Sequence, residues 1–286
     1  MSLVTTGKDI PVTHTSIKAN WIWFLLGTLL AALPGANSSK AATIFVGNQH
    51  SIGTYTTTGH TISPALIHGL HMPFGIAVAG NRLFVANENN GTIGEYTTAG
   101  RVINAQLIRG LNGPAGITVS GHRLFVANYR AGTVGEYTTS GRPINASLIS
   151  NLHGPDGIAV VGNDLWVVNF GSGTIGKYTV TGRVLDPALV SGLAGPNGIA
   201  VRGREFFVTN DGSGTIGQYT TTGQVLNAAL ISGLPDPFGI AVWRHDLFVV
   251  EEHHGGTIGE YTITGRAINP RIISDLHYPG FVAVCH

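Results

Sequence analysis

PFGIAVAGNRLFVANENNGTIGEYTTAGRVINAQLIRGL, residues 73–111, divides into four apolar or β-branched runs separated by turn chemistry. The runs are Gly75 to Val78, Leu83 to Ala86, Thr92 to Thr97 and Val102 to Ile108. Between them lie Gly80-Asn81, Asn87 to Gly91 and Ala99-Gly100, residues that reverse a chain at low conformational cost. Four short strands joined in this way are expected to form antiparallel hairpins. The first two runs are apolar at nearly every position, as strands covered on both faces are, whereas the third and fourth carry more Thr, Asn and charge. The unit reads as a four-stranded sheet with a buried inner edge and a wet outer one.

The unit repeats. Tyr55, Tyr96, Tyr137, Tyr178 and Tyr219 stand 41 residues apart and Tyr261 follows after 42, while Gly75, Gly116, Gly157, Gly198, Gly239 and Gly280 form a second ladder with a step of 41. A period of about 40 to 50 residues built from short strands is the mark of a β-propeller blade. Such a period is too long for one rung of a β-helix. The absence of sustained 3.6-residue periodicity argues against helical solenoids and βαβ folds.

The ends set the blade number. Complete units begin near positions 75, 116, 157, 198 and 239, whereas residues 43–70 supply only the second, third and fourth runs. The missing first run stands at the other terminus, where GFVAV (280–284) is matched to GIAV, so that residues 43–70 and 280–286 are expected to make one composite blade. Closure of this kind removes an exposed inner edge. The expected fold is all-β, a six-bladed β-propeller of four-stranded antiparallel blades over residues 43–286.

Residues 1–42 are read separately. Lys8 and Lys18 precede the uncharged run WIWFLLGTLLAALP (21–34), followed by small residues suited to cleavage at Ala36-Asn37-Ser38 or Ser39-Lys40-Ala41. That pattern predicts a signal peptide, with a membrane anchor as the alternative if it is not cleaved. The expected location is secreted or periplasmic. A single cysteine, Cys285, excludes an intrachain disulfide framework. The thiol is expected to be a buried structural one.

The P-x-GIAV, LFVAN and GTIGEY segments resemble NHL-type repeats, and LWVVNFGSGTIGKYTVTG (165–182) resembles the repeat of streptogramin lyases. The resemblance spans residues 43–284 and implies a propeller. It is shared by binding proteins, lyases and gluconolactonase-like enzymes, so it does not choose among them. Streptogramin lyases are usually seven-bladed, and six copies depart from that pattern.

Asn48, Asn87, Asn128, Asn169 and Asn210 recur at the end of the second strand and are expected to cap their own turns by bonding backbone N–H groups. The sixth such position is Glu251, followed by Glu252, His253 and His254 in the one turn that gains a residue. Carboxylate beside imidazole suits a divalent metal (Ca²⁺, Mg²⁺ or Zn²⁺) or an acid/base pair, making Glu251, His253 and His254 the candidate catalytic or metal residues. His50 and His277, on the connections of the composite blade, fall on the same expected face. Gluconolactonase-like sites take several acidic or amide ligands from different blades. By that resemblance Asp156 and Asn197, at the x of P-x-G, stand with Glu251 as the nonuniform candidates, and Asp156, Asn197, Glu252, His50 and His277 are the candidate ligand-binding residues.

Charge sorts by turn. Arg82, Arg101, Arg123, Arg142, Arg183, Arg202, Arg204, Arg244 and Arg266 lie in or beside the turns of one face. Glu88, Asp156, Asp211, Asp236, Glu251, Glu252 and Asp275 lie on the other. The arginine face would suit an anionic surface and the acidic face a cation or basic ligand. Nucleic acid is disfavoured by the lack of interleaved stacking aromatics. Two readings follow: an exported monomeric scaffold binding a small molecule, polysaccharide or protein, and a metal-dependent lyase or lactonase at the same mouth. The lack of a complete catalytic set favours the scaffold.

Overall fold

The computed structural model describes residues 42–253 and 255–285, and these form six four-stranded antiparallel sheets arranged as propeller blades. The blade quoted above runs Pro73–Ala79, Arg82–Asn87, Thr92–Thr97 and Val102–Ile108, paired in that order. The remaining unit has the order predicted for a composite, with Val282–Cys285 against Thr43–Asn48 and then the two outer strands. The N-terminal segment expected to direct export lies outside the described residues, as do His254 and His286.

The Pro-x-Gly segment is a bulge. Pro73 pairs with Asn87 and Ile76 with Val85, so Phe74 and Gly75 together oppose Ala86. A bulge re-aims a side chain, and here it frees the x residue from the alternation of the strand. The glycine that follows is fixed by contact: a Cβ on Gly75 would lie 2.1 Å from the carbonyl oxygen of Ala115 in the next inner strand. In GTIGEY the tyrosine folds over its own glycine, because a Cβ on Gly94 would lie 2.6 Å from the Tyr96 hydroxyl.

The composite blade corrects the glycine ladder. Val46 pairs with Val282 and Phe45 with Ala283, matching Val85 with Ile76 and Phe84 with Ala77. Phe281 therefore occupies the position held by Gly75 elsewhere, and Gly280 occupies the x position. The residue added after Glu252 had shifted the frame by one, and the reversed order of Gly and an aromatic concealed the shift. The Phe281 ring meets the rings of Phe74 and Phe238 edge-on, with centroids 5.8 and 5.5 Å away.

Cores form between blades. Phe84, Ala86 and Ile93 of one blade pack with Leu124, Val126 and Tyr137 of the next, and the same set recurs around the ring. Each fully buried apolar side chain contributes about 1.5–3 kcal/mol, so the interblade layers dominate stability. The outer strands are exposed as expected, although their exposed side chains include Ile62, Ile103, Ile144, Leu185, Leu226 and Ile268. Cys285 is half-buried rather than buried.

Two expectations about polar side chains need correction. The asparagine amide donates to a side chain instead of accepting from backbone N–H groups: Asn87 Nδ2 donates to Thr92 Oγ1 at 3.4 Å, and Asn128, Asn169 and Asn210 do likewise to Thr133, Thr174 and Thr215. The two residues face each other across the hairpin, so the threonine hydroxyl is nearer than any free N–H. Arg82 and Arg123 do not add freely to a basic face. Arg82 Nε donates to Glu95 at 2.6 Å and Arg123 Nε to Glu136, while their other nitrogens reach the carbonyls of Thr139 and Val180 in the neighbouring blade. Strand register sets each glutamate diagonally across from its arginine, a relation invisible at a sequence separation of 13.

Candidate functional site

The upper mouth of the channel is a cavity of about 230 Å³ lined by two tiers of repeat positions. The first tier is the x of Pro-x-Gly, giving Phe74, Ala115, Asp156, Asn197 and Phe238. The second is the residue after the recurrent asparagine or Glu251, giving Glu88, Tyr129, Phe170, Asp211 and Glu252. The bulge aims the first tier, and backbone bonds fix the second. The N–H groups of Glu88, Tyr129, Phe170, Asp211 and Glu252 donate to the carbonyls of Met72, Gly113, Gly154, Gly195 and Asp236 at 2.7–3.0 Å. The accepting residue has positive φ in each blade, with Met72 at 51° and Asp236 at 48° where others use glycine. An L side chain in that region costs about 1–2 kcal/mol, and both strained residues flank the Phe74–Phe238 side of the mouth.

In the first tier the aromatic pair Phe74 and Phe238 and the polar pair Asp156 and Asn197 come from different blades, while the second tier mixes carboxylates with Tyr129 and Phe170. Phe74 and Phe238 meet edge-on at 4.9 Å, and Tyr129 and Phe170 stand 6.2 Å apart. The polar lining residues are Glu88, Asp156, Asn197, Asp211 and Glu252. Asp156 and Asn197 are only 3% and 2% exposed, and Asp156 Oδ1 and Asn197 Nδ2 have no hydrogen-bond partner. Burial pushes the Asp156 carboxyl well above the ordinary carboxylate range, and the Glu88 and Glu252 carboxylates add to the shift. Glu252 is raised by burial and then by Asp211 and Asp236, and Asp211 by burial and then by Asp236. Arg130 offsets part of this charge through a 2.9 Å bond to Glu88.

Of the residues singled out in the sequence, Asp156, Asn197 and Glu252 come together here. Glu251 turns into its own blade, where it accepts from Tyr261 Oη at 3.1 Å and Thr257 Oγ1 at 3.4 Å. His253 is exposed, with Nδ1 2.9 Å from Asp236 Oδ2. His254 lies outside the described residues. His50 and His277 line a separate depression beside Asn48, Tyr55 and Asp275, and His50 Nδ1 is 3.3 Å from the Leu70 carbonyl. Among the described residues no group of three or more His, Cys, Asp or Glu is placed to hold a metal ion. Tyr129 and Phe170 were not foreseen as site residues, and Glu88 and Asp211 were read only as charge on a face. Their signal was variation, since in the blades lining the mouth this position holds Glu, Tyr, Phe or Asp while the residue before it is asparagine in all but one of them.

Replacing Asp156 by Asn should stabilise the protein at neutral pH. A carboxyl whose folded-state pKa is raised binds its proton more tightly when folded, so its contribution to stability falls as pH rises through the window between the ordinary and the raised value. The amide has no such window. Asp156→Asn is expected to gain roughly 0.5–2 kcal/mol at pH 7, the usual scale when a functional residue is traded for stability. The gain should shrink near pH 4. Urea denaturation at both values checks this, and a loss at pH 7 would mean that the carboxylate is satisfied.

A profile of the virginiamycin B lyase family matches residues 36–270. No curated protein matches the chain. Among solved structures, a chain of the nidogen/laminin complex superposes with a TM-score of 0.75 at 13% identity, covering 86% of this chain and 98% of that one. Virginiamycin B lyase from Staphylococcus aureus superposes at 0.59 with 21% identity, covering 73% of each chain. A catalytically inactive histidine-to-alanine variant of the same lyase, crystallised with quinupristin, gives 0.60 at 20% identity and the same coverage. At these identities the solved structures establish the fold alone.

Proposed function

The chain belongs to the virginiamycin B lyase family, and on that premise we propose that it is an exported propeller scaffold binding a small ligand at its upper mouth. The observation that carries the reading is the pair of buried polar atoms, Asp156 Oδ1 and Asn197 Nδ2, without partners on the wall of a half-aromatic cavity. Leaving such groups unmet costs about 1–3 kcal/mol each, a cost that a bound ligand removes. A pocket that is mostly apolar with a few convergent polar groups is also the common form of a small-molecule site.

Family membership favours a second reading, a lyase. An elimination needs a base, and a buried carboxyl with a raised pKa such as Asp156 has that character. The inactivated relative lacks one histidine, however, and among the described residues no histidine lines this mouth. Ala115→Trp, which fills the mouth from one wall, tests the first reading: a thermal-shift screen of small molecules should yield ligands for the parent that the variant does not bind. Hits that survive in the variant would place the site elsewhere. Incubation with quinupristin followed by chromatography tests the second, and intact antibiotic is the expected result.

On the opposite face Arg101, Arg142, Arg183 and Arg266 remain as a basic ring for an anionic surface, since no ion pair engages them among the described residues. Export rests on the uncharged run 21–34. N-terminal sequencing of protein from its host should find a start between Asn37 and Ala42, and an intact Met1 or Ser2 in the membrane fraction would support the anchor instead.

A further inference from the structure

We propose that the mouth selects a compact organic ammonium ion, with the charged nitrogen on Asp156 and its apolar or aromatic body against Phe74 and Phe238. The inference deepens the ligand-binding reading and rests on it. Four carboxylates, from Glu88, Asp156, Asp211 and Glu252, line a cavity of about 230 Å³, and Arg130 answers only Glu88. An anion would meet repulsion from carboxylates on four of the six blades. A neutral ligand would leave Asp156 protonated and draw nothing from the surrounding carboxylates, whereas an ammonium ion supplies the counter-charge that a buried carboxylate requires.

A bare metal ion is the other cation to consider. It needs several oxygen ligands converging within about 2.0–2.6 Å. Among the described residues the acidic side chains come from different blades and are not clustered for that purpose. The aromatic side chains of the mouth would also be idle. Aromatic faces attract an ammonium group by about 0.5–2 kcal/mol and cover an attached hydrocarbon at the same time. Asp156 Oδ1 accepts one N–H, and Asn197 Nδ2 offers a donor to an oxygen of the ligand or to a water. A cavity of about 230 Å³ accommodates a small amine.

The wall behind these groups is preorganised. Thr209 stands opposite the bulge formed by Asn197 and Gly198, where Ala86, Ala127 and Val168 stand in other blades. Its hydroxyl accepts from Gly198 N–H at 2.7 Å and donates to the Phe238 carbonyl at 2.5 Å, tying the amide side of the mouth to the aromatic side. Thr209 has no solvent exposure. A buried hydroxyl spent on two backbone groups beside the cavity fixes the separation between Asn197 and Phe238.

Calorimetric titration at pH 7.5 with 2-phenylethylammonium, 2-phenylethanol and 3-phenylpropionate tests the inference on the parent, Asp156→Asn and Ala115→Trp. The expected result is one-to-one binding of the ammonium ion, at least tenfold weaker binding of the alcohol and none of the carboxylate. Asp156→Asn should lose at least tenfold for the ammonium ion and leave the alcohol unchanged; Ala115→Trp should abolish both. If the alcohol binds as well as the ammonium ion and both are lost in Ala115→Trp, cation selection is wrong and the mouth reading stands. Binding that persists in Ala115→Trp overturns both readings. No binding of any probe to the parent overturns the ammonium inference, while the broader ligand screen still decides the other.

Discussion

Truncation after Gly280 should lower the thermal midpoint by about 10–20 °C, taking about 5 kcal/mol of lost interaction at roughly 2–4 °C per kcal/mol for a domain of this size. The truncation removes Phe281 and Val282, which are 8% and 5% exposed, and the pairing of Val282–Cys285 with Thr43 to Val46. It also uncovers Ile44 and Val46, which pack with Phe248, Val250 and Ile258 of the preceding blade. The backbone bonds from Gly47 N–H to the Phe281 carbonyl and from Phe281 N–H to the Phe74 carbonyl go with it. These bonds join the closing segment to two blades, so its loss opens the ring as well as thinning one sheet. Calorimetry on the truncated and full chains measures the change. A fall of less than about 3 °C, equivalent to about 1 kcal/mol, would show that closure does not depend on this strand.

A single methyl group should have a comparable effect at the inner strands. Gly116→Ala would place its Cβ 2.2 Å from the Asp156 carbonyl oxygen and 3.1 Å from Ile158 Cγ2. The first neighbour is backbone in a packed strand, so relief requires two blades to move apart. The expected cost is about 3 kcal/mol, at the upper end for overpacking. Gly121→Ala is the matched control. Its φ of +57° penalises a side chain, but nothing lies within 4 Å. That change should cost about 1–2 kcal/mol. Gly116→Ala should also displace Asp156 and weaken ammonium binding, whereas Gly121→Ala should not. Equal losses of stability in the two variants would mean that conformational freedom, and not interblade contact, selects the inner glycines.

The sequence was most informative where chemistry is local. TIGEY carries its own reason, a tyrosine covering a glycine two residues earlier, and it recurs in each blade because each blade solves the same problem. At the closure the reading slipped by one residue, since Gly280 lies on the ladder while Phe281 fills the glycine position. Spacing alone does not distinguish an inserted residue followed by an exchange of order from an unbroken repeat. Arg82 with Glu95 shows a second limit. Their pairing depends on which strand faces lie together, and composition counted the arginine as surface charge. For the mouth, Asp156 and Asn197 were legible as breaks in Pro-x-Gly, and Glu252 as part of an unusual turn. Tyr129 and Phe170 were not, because variation after a recurrent asparagine does not separate an aromatic on an outer turn from one facing the axis.

By itself, then, the sequence determined the blade, the number of blades and the exchange of strands between the termini, all consequences of strand and turn preferences acting within about forty residues. Tertiary structure alone decided what the variable positions do. Phe74, Asp156, Asn197 and Phe238 come from different blades and meet only because the ring closes and each bulge turns one side chain toward the axis. Convergence on a common axis is a property of the assembled ring, and no repeat contains it.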